Sequence, residues 1–75
     1  MDRITEILLD RRKKEIYDWQ NTYMEAIAEA VNLLNNQPEE EDWDTVREAV
    51  DMAQRAVENI KGLKEEVEMI QMLNI

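Results

Sequence analysis

Paired carboxylates are the side chains in this sequence whose type and spacing come nearest to chemistry. Glu48 and Asp51 lie one helical turn apart, as do Glu15 and Asp18, and such pairs can contribute to a divalent-cation site. The 75 residues contain no His, Cys or Ser, so the common zinc and iron ligands and the usual nucleophiles are missing. A Glu-x-x-Glu pair that would complete a metal centre is also absent upstream of Glu48. The sequence therefore predicts no enzyme, no metal site and no cofactor.

The elements that would position any site are two long helices. Hydrophobic residues make up 44% of the chain, which contains one Gly and one Pro, and this composition is typical of a folded helical protein rather than of an acidic disordered tail. The break is at Asn35-Asn36-Gln37-Pro38, where Asn suits a helix C-cap and Pro cannot continue the helix. We expect helix 1 over about 2–35, a loop over about 36–43 and helix 2 over about 44–73. Together they predict a single all-α domain, an antiparallel helical hairpin of the coiled-coil type.

The heptad pattern is clearest in helix 2, where apolar residues alternate at spacings of three and four. These positions are Val46, Ala49, Ala53, Ala56, Ile60, Leu63, Val67 and Ile70. The second half of helix 1 has the same rhythm, at Ile16, Trp19, Tyr23, Ala26, Ala30 and Leu33. The first half has Ile4, Ile7 and Leu8 ahead of the basic run 11–14, so we expect the packed face of helix 1 to change there. Gly62 lies inside helix 2 and indicates a local bend or a weak point rather than the alternative, a close helix approach.

Too many apolar residues lie off this main seam for a two-helix structure. They are Leu9, Tyr17, Met24, Val31, Val50, Val57, Met69, Met72 and Leu73. A hairpin buries one face of each helix, and a core of this size supplies only about 3–5 kcal/mol. Some of these residues should form a second stripe, which predicts a homodimeric four-helix bundle or a groove for a partner helix.

Charge is distributed unevenly along the chain, which has a net charge of −9. Residues 1–14 have a net charge of +2, residues 15–60 of −10, and residues 61–75 of −1. The loop end of a hairpin would therefore be strongly negative, which repels nucleic acid and favours a basic protein partner. No segment is long and apolar enough to serve as a signal peptide or a membrane span, so we expect a cytoplasmic protein without membrane binding.

Trp43 is the most distinctive candidate for partner binding, because it lies between two Asp residues at the predicted loop. It could pack on Val46 or Arg47, or it could be an exposed aromatic anchor within an acidic rim. The full set of candidates is Trp43, Asp42, Asp44, Glu40, Glu41, Val50, Val57, Met69, Met72 and Leu73.

The layout resembles the small helical hairpins of bacterial type III secretion, which are needle subunits and the co-chaperones that hold them. The resemblance lies in chain length and in two helices joined through Leu33-Leu34-Asn35-Asn36-Gln37-Pro38. The acidic stretch Glu65-Glu66-Val67-Glu68 favours the co-chaperone type, which uses only a helix face. The resemblance implies an all-α hairpin that binds a protein.

Three functional hypotheses follow from these patterns. The first is a protein-binding adaptor, co-chaperone or inhibitor that docks an apolar helix face on a partner and is a homodimer in isolation. The second is an acidic phage-type inhibitor, or DNA mimic, that blocks a basic nucleic-acid-binding surface. The third is a structural or designed helical bundle without a ligand.

Overall fold

Two α-helices that pack against each other along their lengths form the whole of the described structure. The computed structural model describes residues 2–36 and 38–73, with α1 at Arg3–Asn35 and α2 at Glu40–Leu73. The hairpin measures 55 × 14 × 13 Å between Cα atoms. The predicted all-α antiparallel hairpin is thus confirmed. Gln37, in the predicted loop, lies outside the described residues.

Helix α1 begins with an Asp side chain that caps its first turn. Asp2 has extended backbone dihedral angles, and its carboxylate accepts a 2.7 Å hydrogen bond from the Thr5 backbone N–H. This bond favours the charged carboxylate and lowers the pKa of Asp2 below its ordinary value. The cap satisfies one of the backbone donors that every helix N-terminus leaves unpaired.

The connection between the helices is shorter than the sequence pattern predicts. Asn36 is the C-cap of α1, and its backbone N–H donates to the Leu33 carbonyl at 3.3 Å. Helix α2 then begins at Glu40, about four residues before the expected start. Its first turn is stabilised by Asp42, whose side chain accepts a 3.0 Å hydrogen bond from the Glu39 backbone N–H. Acidic side chains in this turn also interact favourably with the positive end of the helix dipole.

The seam between the helices is rich in alanine. Among the described residues, five of the seven buried apolar side chains are Ala, and Ala56 is 0% exposed. The predicted heptad positions of α2 are confirmed: the four nearest the loop are buried, and the four toward the open end are half-buried. Small side chains allow the two helix axes to approach closely, but they also bury little apolar area per residue.

The first half of α1 packs with Leu9 toward α2, and this overturns the prediction that the packed face changes. Leu9 is only 5% exposed, whereas Leu8 is 37% exposed. The seam continues in phase from Ile16 back through Arg12 and Leu9 to Thr5, which is also buried. The expectation that Leu8 lies in the seam and Leu9 outside it was wrong. The polar residues Thr5 and Arg12 occupy two seam positions and interrupt the apolar heptad pattern.

Arg12 occupies a seam position and links the two helices electrostatically. One of its terminal nitrogens lies 2.9 Å from Oε1 of Glu15, and its Nε lies 2.8 Å from Oε2 of Glu66 on α2. The Nε contact is an ion pair without a well-aligned hydrogen bond. Because these side chains are partly exposed, the pair contributes little to stability, at most about 1 kcal/mol. A polar residue at a seam position does, however, favour one register of the helices over others.

Gly62 lies on the exposed side of an unbroken α2. A Cβ added there would meet no atom within 4 Å, so the alternative of a close helix approach at this glycine was wrong. The effect of Gly62 on stability is therefore the conformational entropy that glycine loses when it becomes part of a helix.

The phase of the α1 seam can be tested with two neighbouring leucines. We expect Leu9→Ala to lower the free energy of unfolding by about 2–3 kcal/mol, because it leaves a cavity at the open end of the seam. Leu8→Ala removes the same atoms from a more exposed position and should cost less than about 1 kcal/mol. Urea unfolding at a fixed protein concentration measures both, and equal losses in the two variants would contradict the assigned phase.

Gly62 offers a second test. We expect Gly62→Ala to raise the free energy of unfolding by about 0.5–1 kcal/mol, because alanine restricts the unfolded chain and meets no obstacle in the helix. The matched control is Ala28→Gly, at an exposed position of α1, which should have an effect of opposite sign and similar size. A destabilised Gly62→Ala would mean that α2 needs the glycine conformation.

Candidate protein-docking face

A second heptad stripe runs along α1 beside the seam. Its positions again alternate at spacings of three and four, and five of the six are apolar: Tyr17, Gln20, Met24, Ile27, Val31 and Leu34. Ile27 is half-buried, and the other four apolar side chains are exposed. A helix with two such stripes has the pattern of a helix that packs against two neighbours, whereas α1 has only one neighbour in the hairpin.

Helix α2 extends this apolar surface on the same side of the hairpin. Trp43, Val50 and Val57 recur every seven residues and are all exposed. One shallow depression brings Val50 and Val57 together with Tyr23 and Ile27 of α1. The apolar face is defined here as the apolar members of the second α1 stripe, Tyr17, Met24, Ile27, Val31 and Leu34, with Trp43, Val50 and Val57 of α2.

Charged side chains of α1 avoid the apolar face. Between Ile16 and Asn36 the only charged residues are Asp18, Glu25 and Glu29, and the helical period places all three on the opposite side. A depression on that opposite side is lined by Glu25 and Glu29 of α1 and by Glu48 of α2, with Thr22 and Thr45. The acidic face is defined here as Glu15, Asp18, Glu25, Glu29, Glu41 and Glu48. The hairpin thus has one apolar side and one acidic side.

Trp43 lies at the edge of the apolar face near the loop. It is 51% exposed and lines a shallow depression with Val46, Arg47 and Val50. The two interpretations from the sequence therefore describe one arrangement, because the indole packs beside Val46 and Arg47 while half of its surface stays accessible. An aromatic side chain in this situation can bury a large area when a partner docks.

The acidic candidates around Trp43 differ from one another in structure. Glu40, Glu41 and Asp44 are exposed in the first turns of α2. Asp42 is half-buried, and its carboxylate is bonded to the Glu39 backbone N–H, which gives it a capping role. The three exposed carboxylates are thus available to a partner.

The candidates at the C-terminal end of α2 belong to a separate surface. Met69, Met72 and Leu73 are all exposed near the open end of the hairpin, where α1 begins and α2 ends. The exposed residues Ile4, Ile7 and Leu8 of α1 lie at the same end. The structure therefore does not bring these methionines together with Val50 and Val57, which lie in the loop half.

Ile27 and Leu34 are members of the apolar face that the heptad of the main seam does not reveal. Their spacing of seven residues, and the spacing of three from Met24 to Ile27 and from Val31 to Leu34, is the signal that places them in the second stripe.

The paired carboxylates do not assemble into a recognisable metal centre. Glu48 and Asp51 line a shallow depression with Met52 and Arg55, so a guanidinium group is close to the pair. Within residues 2–36 and 38–73, no three His, Cys, Asp or Glu side chains are grouped to hold a metal ion. Neither helix, over its described residues, has a long enough apolar stretch to cross a membrane.

Comparison with known proteins gives no relative for this chain. No protein-family description matches it. Neither the curated proteins nor the solved structures include a significant match. Any functional conclusion therefore rests on the two faces of the hairpin.

The exposure of Trp43 can be measured with single-tryptophan variants. In Trp19→Phe the remaining fluorescence comes from Trp43, and in Trp43→Phe it comes from Trp19, which is half-buried. At high dilution we expect acrylamide to quench Trp43 clearly more than Trp19, because the seam shields Trp19 from the quencher. Equal quenching of the two residues would contradict the placement of Trp43 on an accessible face.

Proposed function

We propose that this chain is a non-enzymatic protein-binding module that docks its apolar face on a protein partner. The observation that carries the proposal is the second heptad stripe of α1, which is apolar, uncharged and without a neighbouring helix in the described structure. Surfaces of this kind bind helices through apolar side chains at spacings of three and four. Solvent exposure of so many apolar side chains on one side is otherwise unfavourable.

The proposed mechanism is occlusion. An amphipathic helix of the partner lies along the apolar face. The apolar stripe of that partner helix is thereby covered and cannot make other contacts. Trp43 is the anchor at the loop end, and the exposed Glu40 and Asp44 near it attract basic side chains and select among partners. A cytoplasmic co-chaperone, as the type III secretion resemblance implies, or an inhibitor would act in this way.

The acidic face favours a second candidate, which is a DNA mimic. Six carboxylates along one side of the hairpin could occupy a basic surface that otherwise binds nucleic acid. The two candidates use opposite sides of the molecule, so substitutions on each side separate them.

Val50 and Met52 provide a matched pair for the test. Both are 42% exposed on α2, but Val50 belongs to the apolar face, whereas Met52 lines the depression on the acidic side. Immobilised wild-type, Val50→Glu and Met52→Glu chains are incubated with an extract of the source cells, and the bound proteins are quantified by mass spectrometry.

The proposal expects a specific protein that binds wild type and Met52→Glu, and that binds Val50→Glu at least about tenfold less because a carboxylate is placed in an apolar contact. Loss of binding only on charge reversal of Glu25 and Glu29, together with displacement by DNA, would favour the DNA mimic instead. If every bound protein is retained by all variants, or none is specific, the docking proposal is wrong.

A further inference from the structure

We propose that, in the isolated protein, a second copy of the chain covers the apolar face, with the two hairpins pointing in opposite directions. The inference rests on the same face as the proposed function and names one occupant of it. The product would be a four-helix bundle in which each α1 packs against its own α2 and against the other chain.

The hairpin exposes enough area for a second copy to cover part of it. The chain exposes 6211 Å², whereas a compact monomer of 9.0 kDa exposes about 4,900 Å². The excess is about 1,300 Å², and a standard protein interface buries about 800 Å² on each partner. Covering the apolar face once would bring the exposed area per chain close to that of a compact protein.

Charge determines which side a second copy can approach. In a symmetric dimer the same surface patch meets itself, so any net charge on that patch is repelled. The acidic face cannot meet itself without opposing its six carboxylates. The α1 part of the apolar face contains no charged residue. The depressions along its α2 part are lined by one cation, Arg47, and one anion, Glu58, so this side has little net charge to oppose pairing with itself.

The orientation follows from the charges at the two ends of the face. Its centre lies near Met24 on α1 and Val50 on α2. Lys13 and Lys14 lie about 16 Å from Met24 toward the open end, and the loop lies about 16 Å from Met24 in the other direction, at 1.5 Å per residue. When the copies point in opposite directions, these lysines come level with Glu39 and Glu40 of the second copy. The same-direction arrangement instead brings the two acidic loops together.

This arrangement would make self-association a control on partner binding. A partner helix and a second copy compete for one face, so the partner binds only as the dimer dissociates. At high concentration the chain would therefore be mostly dimeric, with its apolar face covered.

The experiment measures mass by light scattering during size-exclusion chromatography over a dilution series. We expect wild type and Met52→Glu to have twice the 9.0 kDa mass of one chain at high concentration. Val50→Glu should raise the dissociation constant of the dimer by about 100-fold or more, because the symmetric interface holds two introduced carboxylates. Circular dichroism of the variant confirms that its helices are retained.

A single introduced cysteine tests the arrangement of the two copies. Because the chain has no native Cys, only the introduced thiol can form a disulfide. Met24→Cys should form a disulfide-linked dimer under mild oxidation, because this residue lies near the two-fold axis and meets its own copy. Met52→Cys, on the other side, should remain unlinked. Leu34→Cys tests the direction, because its two copies lie about 30 Å apart when the hairpins point in opposite directions and level with each other when they point the same way. A cross-linked Leu34→Cys dimer, or no link for Met24→Cys in a dimeric protein, would overturn the proposed orientation. Equal cross-linking of Met24→Cys and Met52→Cys would overturn the proposed face.

These outcomes separate the two proposals. A wild type that stays monomeric at all concentrations, or a Val50→Glu chain that dimerises like wild type, overturns the second-copy inference. A monomer that still captures a partner through Val50 would leave the proposed function standing. A dimer without any partner that depends on the apolar face would overturn the function alone.

Discussion

The alanine seam between α1 and α2 is the constraint on which the rest of this structure depends. Ala26 and Ala30 of α1 and Ala49, Ala53 and Ala56 of α2 are buried where the helices meet. Each removes little apolar surface from water, about 0.8 kcal/mol for each buried methyl-sized group. A seam of this composition specifies close and regular packing, but it gives the hairpin a small core.

The small core explains why the two sides of the hairpin differ so strongly. Several larger apolar side chains of the loop half, among them Met24, Val31 and Trp43, are not in the seam but on the apolar face. Between Ile16 and Asn36 the carboxylates of α1 are on the other side, where like charges disfavour self-association through that side. In the proposed function, the apolar face is therefore the side that docks. Arg12, paired with Glu66 across the seam, favours the helix register that keeps the apolar residues of α1 and α2 on a common side.

The pattern of α2 could be predicted from the sequence because every seam position from Val46 to Ile70 is apolar. The start of α1 could not, because Thr5 and Arg12 occupy seam positions while Ile4 and Leu8 lie outside the seam. The pattern of apolar residues then indicates the wrong side of the helix. Only the packing against α2 shows which side is buried. The start of α2 was placed too late because residues 39–42 are all acidic and carry no apolar periodicity. In the structure they form the first turn, which Asp42 caps by accepting a hydrogen bond from the Glu39 backbone N–H. For the candidate site, Trp43, Val50 and Val57 were found from sequence, whereas Ile27 and Leu34 require the second stripe to be separated from the first.

Small-angle X-ray scattering across a concentration series tests most directly whether the apolar face, and not the open end, is the docking surface. We expect the scattering mass to double while the longest dimension stays far below twice the 55 Å length of the hairpin. The reason is that two chains that share the apolar face lie side by side. The cross-section of the particle should thicken instead. A scattering mass that stays at the 9.0 kDa of one chain at all concentrations would contradict self-association. A doubled mass with a doubled length would show that the exposed residues around Met72 and Ile4 join the chains end to end. That result would contradict docking through the apolar face.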